Sequence, residues 1–147
     1  MYKRQSYITR QDPQIQVIGK ACPLFVPLVE EGWLKDSVTF EVAGRYLRKL
    51  MEQDIDTLIL GCTHYPLLKA LIGGVVGRKV TLVNSADETA RDVDHILRRR
   101  RAHARSGNVP VHSFFTTADD VEEFRRFGGR VLARPMDVVA HVDLPAL

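Results

Sequence analysis

Apolar positions along the chain follow two alternating patterns, one typical of buried strands and one typical of helices. Residues 57–60 and 80–83 are short apolar runs without polar alternation, which indicates strands buried on both faces of a parallel sheet. Residues 37–53 place an apolar side chain every three or four positions, which indicates a helix with one buried face. This succession predicts an α/β fold in which a mostly parallel sheet is flanked by helices.

Other segments extend the same alternation. We predict strands over residues 15–18 and 111–116, and helices over residues 24–34, 66–72, 85–101 and 118–127. The expected N-caps are Asp36 or Ser37, then Ser85 with Glu88 as a capping box, then Thr117, while Gly128 and Gly129 should end the last helix. In a parallel sheet the reactive crevice lies outside the carboxyl ends of the strands, which directs attention to the residues after 60 and 83.

Composition narrows the class of protein without identifying it. The 147 residues are 45% hydrophobic and 27% charged, as in an ordinary globular protein, and no apolar run is long enough to span a membrane. The first residues do not form a secretory signal, so we expect a cytoplasmic protein with no membrane partner. In that compartment Cys22 and Cys62 are expected to be free thiols.

Positive charge offers only a weak argument for a nucleic-acid partner. The net charge is +3, and the arginine run 98–101 falls in the last turn of a predicted helix, where cations suit the helix dipole. No aromatic residues interleave the run to stack on bases. We therefore expect no nucleic-acid partner, and affinity that falls steeply with salt would be needed to support one.

The candidate chemistry lies in the segment 61–66, Gly-Cys-Thr-His-Tyr-Pro, directly after the first buried strand. A helix N-terminus following Cys62 would favour the thiolate and would offer N–H groups to an anion. His64 can exchange protons near neutral pH, and Thr63 adds a hydroxyl. The competing interpretation is that Cys62 is a small buried apolar residue, and the residues alone weigh the two about equally.

Two other reactive side chains carry less information. Cys22 lies in an Ala-Cys-Pro turn with no base nearby in sequence, so we interpret it as a packed thiol. Glu30 ends an apolar stretch, and a carboxylate in that position is ordinarily solvated.

Three stretches together resemble the C-terminal half of the glutamate racemases, in the aspartate/glutamate racemase superfamily. They are residues 21–30, residues 83–86 and the most specific one, residues 56–68 with the sequence DTLILGCTHYPLL. The resemblance covers the chain from about residue 7 onward. It implies an amino-acid racemase that interconverts L- and D-glutamate without a cofactor or metal, for peptidoglycan synthesis. It also implies glutamate as the small-molecule partner and allows a homodimer of the intact enzyme.

The resemblance also implies roles for single residues. In the family one cysteine removes the α-proton as a thiolate, and a second cysteine returns a proton on the opposite face. Cys62 matches the second cysteine, and His64 matches the neighbour that tunes it. Thr63 and His64 match substrate-binding positions, and Glu30 matches an acidic residue with an assisting catalytic role.

The chain departs from the family in lacking the segments Asp-Ser-Gly and Ala-Cys-Asn-Thr, the second of which carries the first cysteine. We therefore expect an N-terminally truncated chain that is inactive alone. Residues 1–5 match nothing in the family and resemble a translated sequencing adapter, so we expect them to be non-native. Residues 6–88 should form most of the second lobe of the racemase, and residues 89–147 should return to the first lobe. Without that lobe, four aromatic side chains should be more exposed than in an intact enzyme, and deep burial of all four would contradict this: Phe114, Phe115, Phe124 and Phe127.

Two alternatives stay open at this point. An aspartate or hydantoin racemase belongs to the same superfamily, although the His-Tyr-Pro sequence after Cys62 favours glutamate. The second alternative is a non-catalytic half-domain that serves as a binding module. A Cys62 alkylation rate no faster than that of free cysteine would favour this alternative.

Overall fold

The computed structural model describes residues 2–104, 107 and 109–145, without the side chains of residues 2–4. The chain divides into two compact units, Met1–Thr89 and Ala90–Leu147. In the described residues each unit holds a two-stranded parallel sheet with helices beside it in sequence. The predicted α/β class is confirmed.

The elements follow in a regular order. The first unit contains α1 (Tyr2–Gln11), α2 (Phe25–Glu30), α3 (Ser37–Met51), β1 (Thr57–Leu60), a 3₁₀ helix (Tyr65–Leu68), α4 (Lys69–Val76) and β2 (Thr81–Asn84). Helix α5 (Ser85–Arg100) runs across the boundary between the units, and the second unit continues with β3 (Phe114–Thr116), α6 (Val121–Leu132) and β4 (Val139–His141).

Strands β1 and β2 pair in parallel, with Leu60 opposite Asn84 at their carboxyl ends. This register brings the turn after β1 and the start of α5 to one edge of the sheet. The expectation that both faces of β1 are buried is wrong, because Ile59 is 54% exposed while Leu60 is buried. Burial on two faces needs a covering layer on each side, and an apolar run alone does not supply one.

The core of the first unit lies among α2, α3, the 3₁₀ helix and α4. Helix α3 packs against α4, and α2 packs against both α3 and the 3₁₀ helix. The apolar side chains that these helices bury are Phe25, Val29, Ala43, Leu47, Leu50, Leu68, Ile72 and Val76. This packing holds the end of α2 beside the segment that follows β1.

Two segments expected to be regular are shorter or absent. Residues 15–18 form no strand, and Ile15 and Ile18 are exposed, because no strand of the described chain pairs with them. The helix predicted over residues 24–34 is limited to α2, and the chain turns at Gly32, where φ is 81°. A left-handed conformation of this kind suits glycine and ends a helix.

Two predicted caps are also wrong by a few residues. Asn84, rather than Ser85, caps α5, since its Oδ1 accepts a hydrogen bond from the Asp87 N–H at 2.9 Å. Asp120, rather than Thr117, caps α6 through the Glu123 N–H at 2.8 Å. Helix α6 then continues through Gly128 and Gly129 to Leu132. In both places the sequence offers neighbouring residues that can cap, and local propensity does not choose between them.

The second unit has little core of its own. Of its described residues only Thr116, Met136 and Val139 are buried, and neither α5 nor α6 buries a side chain. Phe115 is 61% exposed, and Phe114, Phe124 and Phe127 are half-buried, so the four aromatic residues do not show the deep burial that would have contradicted the expectation. A two-stranded sheet with so little covering is marginally stable by itself. Across the described residues, no helix combines the length and apolar character needed to cross a membrane.

The predicted cap of α3 gives a direct test of the fold. Asp36 Oδ1 accepts a hydrogen bond from the Val38 N–H at 2.8 Å. Asp36→Ala should lower the free energy of unfolding by about 1 kcal/mol, measured by denaturant titration with circular dichroism. Glu41→Ala is the matched control, because it removes only an exposed ion pair with Arg45 and should cost about 0.5 kcal/mol or less. Equal losses in the two variants would contradict the assignment of the cap.

Candidate active site

Cys62 lies in the turn that leaves the carboxyl end of β1. Its carbonyl accepts a hydrogen bond from the Tyr65 N–H at 3.3 Å, and the His64 carbonyl accepts one from the Leu67 N–H at 3.1 Å. These two bonds turn the chain into the 3₁₀ helix. Cys62 is half-buried, and its Sγ lies 3.9 Å from His64 Nδ1. The thiol therefore faces a base, and Cys62 is not the buried apolar residue of the competing interpretation.

The helix expected directly after Cys62 differs from the prediction. The segment forms a four-residue 3₁₀ helix first, and α4 begins only at Lys69. A helix of one turn has a small dipole, and the N–H of Tyr65, its first residue, bonds to the Cys62 carbonyl. The electropositive helix N-terminus inferred from the sequence is therefore not what distinguishes this thiol. Its polar neighbour is the imidazole of His64.

His64 makes contacts through both ring nitrogens. Nδ1 faces Cys62 Sγ and also lies 3.4 Å from Thr63 Oγ1. Nε2 lies 3.5 Å from Glu30 Oε1, at the last residue of α2. A carboxylate at Nε2 favours the tautomer that carries its proton there, which leaves the Nδ1 lone pair directed toward the thiol. Cys62, His64 and Glu30 thus form a continuous line of thiol, base and carboxylate.

This line can move a proton between sulfur and imidazole. When the Cys62 thiol gives its proton to Nδ1, the imidazolium stands between a thiolate and the Glu30 carboxylate, and both negative groups stabilise it. Glu30 is exposed and His64 is half-buried, so the ion pairing is partly screened by solvent. Thr63 is exposed beside the imidazole and offers its hydroxyl to a ligand. The structure thus brings together all four residues singled out from the sequence.

A hydrogen bond next to this line involves a residue that sequence reasoning missed. The Tyr65 hydroxyl donates to the Cys22 carbonyl at 3.0 Å. Burial, followed by the charges of the Cys22 and Cys62 thiols, raises the pKa of Tyr65, so its hydroxyl keeps its proton and remains a donor. The sequence shows only that a phenol follows His64 directly, and this does not identify the group to which its hydroxyl donates.

Cys22 is the packed thiol that the sequence indicated. It is 5% exposed, and burial raises the pKa of its thiol, an effect that the nearby Lys20 charge partly offsets. Its environment therefore disfavours the thiolate.

A second polar cluster lies at the carboxyl end of β2. Asn84 is 2% exposed, and its Nδ2 donates to Asp87 Oδ2 at 2.8 Å. Lys69 Nζ lies 2.5 Å from the same oxygen, which ties the start of α4 to the first turn of α5. Among the described side chains, no three His, Cys, Asp or Glu residues gather as a metal ion would require. The cluster stabilises the edge of the sheet from which Cys62 projects.

Comparison with curated proteins identifies glutamate racemases as relatives. The chain is 46% identical over 139 residues to the glutamate racemase of Geobacter metallireducens, which covers 95% of this chain and 51% of the relative. It is 43% identical over 137 residues to that of Neisseria meningitidis, with 93% and 50% covered. The chain thus spans about half the length of the curated relatives it matches. No protein-family model matches it.

Solved structures give the same result for the fold. A glutamate racemase from Bacillus anthracis superposes with a TM-score of 0.83 at 36% identity, over 99% of this chain and 53% of that protein. The Francisella tularensis glutamate racemase, solved with D-glutamate, gives a TM-score of 0.79 at 28% identity, over 95% of this chain and 52% of that protein.

The different environments of the two thiols predict selective alkylation. In the folded chain at pH 8, iodoacetamide should modify Cys62 at least about tenfold faster than Cys22, because the buried thiol is both shielded and disfavoured as a thiolate. Peptide mass spectrometry distinguishes the two sites. In denaturant the rates should become equal, and equal rates in the folded chain would contradict the assigned environments.

The raised pKa values of Cys22 and Tyr65 predict a loss of stability at high pH. The folded chain favours the neutral form of each group, so this contribution is complete below the ordinary pKa values, about 9 and 10, and is lost as the pH rises through the raised values. Denaturant titrations at increasing pH should show the decline, and Cys22→Ala should reduce it. A free energy of unfolding that stays constant over this range would contradict the prediction.

Proposed function

We propose that this chain supplies one of the two thiols that interconvert L- and D-glutamate. On this proposal it is a member of the glutamate racemase family that spans about half the length of its relatives. The observation that carries the proposal is the line from Cys62 Sγ to His64 at 3.9 Å and from His64 to Glu30 at 3.5 Å. The relative solved with D-glutamate supports the choice of substrate.

Cys62 acts on one face of the α-carbon. Its thiolate takes the α-proton, so that an S–H bond forms as the Cα–H bond breaks and the electron pair remains on the substrate, shared with its carboxylate. In the opposite direction the Cys62 thiol returns a proton to this carbanion. His64 accepts and restores the thiol proton between turnovers, Glu30 stabilises the imidazolium, and Thr63 with His64 binds the substrate. The reaction proceeds without a cofactor.

Inversion at carbon requires a second acid or base on the other face. Cys22 does not fit this role, because it is buried and its surroundings disfavour the thiolate. We assign the second thiol to a polypeptide equivalent to the other half of the relatives. Residues 6–88 then form most of one lobe, and residues 89–147 pack on the complementary half, which accounts for the few buried residues of the second unit.

The biological role follows from the product. D-Glutamate supplies peptidoglycan synthesis, and the proposed enzyme acts in the cytoplasm on a free amino acid. The homodimer that the family resemblance allows is a property of the intact enzyme.

Reconstitution tests the proposed function. The 147-residue chain alone should not convert D-glutamate to L-glutamate. Co-expression with the N-terminal half of the Geobacter metallireducens relative should produce a complex that does, measured by polarimetry with aspartate as the specificity control. Cys62→Ala in the complex should reduce the rate by about 100-fold or more, because a proton-transfer group is lost. Cys22→Ala is the matched control and should retain most of the rate.

Two results would contradict the proposal. Racemisation by the chain alone would overturn the requirement for two thiols. Full activity of the Cys62→Ala complex would exclude Cys62 as the group that moves the proton.

A further inference from the structure

The contact between His64 and Glu30 depends on how two separate segments are held together. Glu30 ends the six-residue helix α2, and His64 belongs to the turn after β1. The distance of 3.5 Å between Nε2 and Oε1 is already long for a hydrogen bond. A small displacement of either segment therefore removes the carboxylate from the imidazole.

Tyr65 connects these segments at the opposite end of α2. Its hydroxyl donates to the Cys22 carbonyl at 3.0 Å, and the same carbonyl accepts the Phe25 N–H at 3.1 Å. The Tyr65 ring also meets the Phe25 ring edge-on, with centroids 5.3 Å apart and planes at 86°. Phe25 is buried, so the first residue of α2 is a fixed anchor for the phenol.

These contacts close a small frame. Tyr65 follows His64 directly in the chain, and Phe25 and Glu30 lie about 7.5 Å apart along α2 at the usual helical rise. At one end of the frame Tyr65 contacts the start of α2, and at the other end His64 contacts Glu30. Because α2 is a rigid helix, the contacts of Tyr65 also set the distance between His64 Nε2 and Glu30 Oε1.

We propose that Tyr65 is a positioning residue that holds His64 against Glu30 and so governs proton exchange at Cys62. The inference rests on the proposed function, since it assigns Tyr65 a role in the proton transfer that Cys62, His64 and Glu30 perform. Tyr65 does not touch the reacting atoms in this role.

The chain provides a matched control in Tyr46. Its ring also meets Phe25 edge-on, with centroids 5.5 Å apart, and its hydroxyl accepts the Leu24 N–H at 3.3 Å. Tyr46 belongs to α3 and lies outside the frame of Tyr65, α2 and His64. Tyr46→Phe and Tyr65→Phe therefore each remove one phenol hydroxyl beside the same phenylalanine, and only the second removes the tie to the His64 turn.

The test measures the rate of Cys62 alkylation against pH in the 147-residue chain, with mass spectrometry to separate it from Cys22. In the unaltered chain the His64 imidazole lies 3.9 Å from Cys62 Sγ and can take the thiol proton, so Cys62 should react faster than in His64→Asn. Tyr65→Phe should reduce the rate at pH 6.5 by about threefold or more and give a profile like that of His64→Asn. Tyr46→Phe should leave the profile unchanged, and thermal denaturation verifies that each variant is folded.

The outcomes separate the two proposals. If Tyr65→Phe leaves the profile unchanged while His64→Asn alters it, the positioning role is overturned and the function of Cys62 and His64 stands. If Tyr46→Phe alters the profile as much as Tyr65→Phe, the effect is one of general stability and the positioning role is again overturned. If His64→Asn leaves the profile unchanged, the coupling of His64 to Cys62 fails, and both proposals fail with it.

Discussion

The contact between the His64 imidazole and the Glu30 carboxylate is the interaction on which the proposed chemistry depends. It favours the tautomer with its proton on Nε2, which leaves the lone pair of Nδ1 directed toward Cys62. A thiol beside a lone imidazole can exchange a proton, but the carboxylate makes the charged pair more favourable. The contact also joins two distant parts of the sequence, so that the fold of the first unit becomes a condition for the reactivity of the thiol.

The parallel pairing of β1 and β2 provides the other part of this condition. It places the turn with Cys62 at the same sheet edge as the cluster of Asn84, Asp87 and Lys69, which fixes the starts of α4 and α5. The first unit thus carries a partly exposed site on a packed core. The second unit buries only Thr116, Met136 and Val139 among its described residues, and it leaves apolar side chains such as Phe115 and Val138 exposed.

Features set by local sequence could be predicted, and features set by distant neighbours could not. Helix α3 and its Asp36 cap follow from apolar spacing and a hydrogen bond two residues away. The strand expected over residues 15–18 and the two-sided burial of Ile59 both required neighbours that a run of apolar residues does not specify. The proximity of Cys62 and His64 follows from their spacing in sequence, whereas the part played by Glu30 came only from resemblance to a family. The Tyr65 tie to Cys22 was missed, because a hydrogen bond between side chain and backbone across 43 positions leaves no pattern in the sequence.

Nuclear magnetic resonance of the His64 ring tests most directly whether Cys62 and His64 act as a unit. The nitrogen resonances of the ring are recorded at one fixed pH before and after Cys62 is capped by alkylation. Because Cys62 Sγ faces Nδ1 and Glu30 faces Nε2, capping the sulfur should shift the Nδ1 resonance more than the Nε2 resonance. An Nδ1 resonance that does not move on capping would contradict the account.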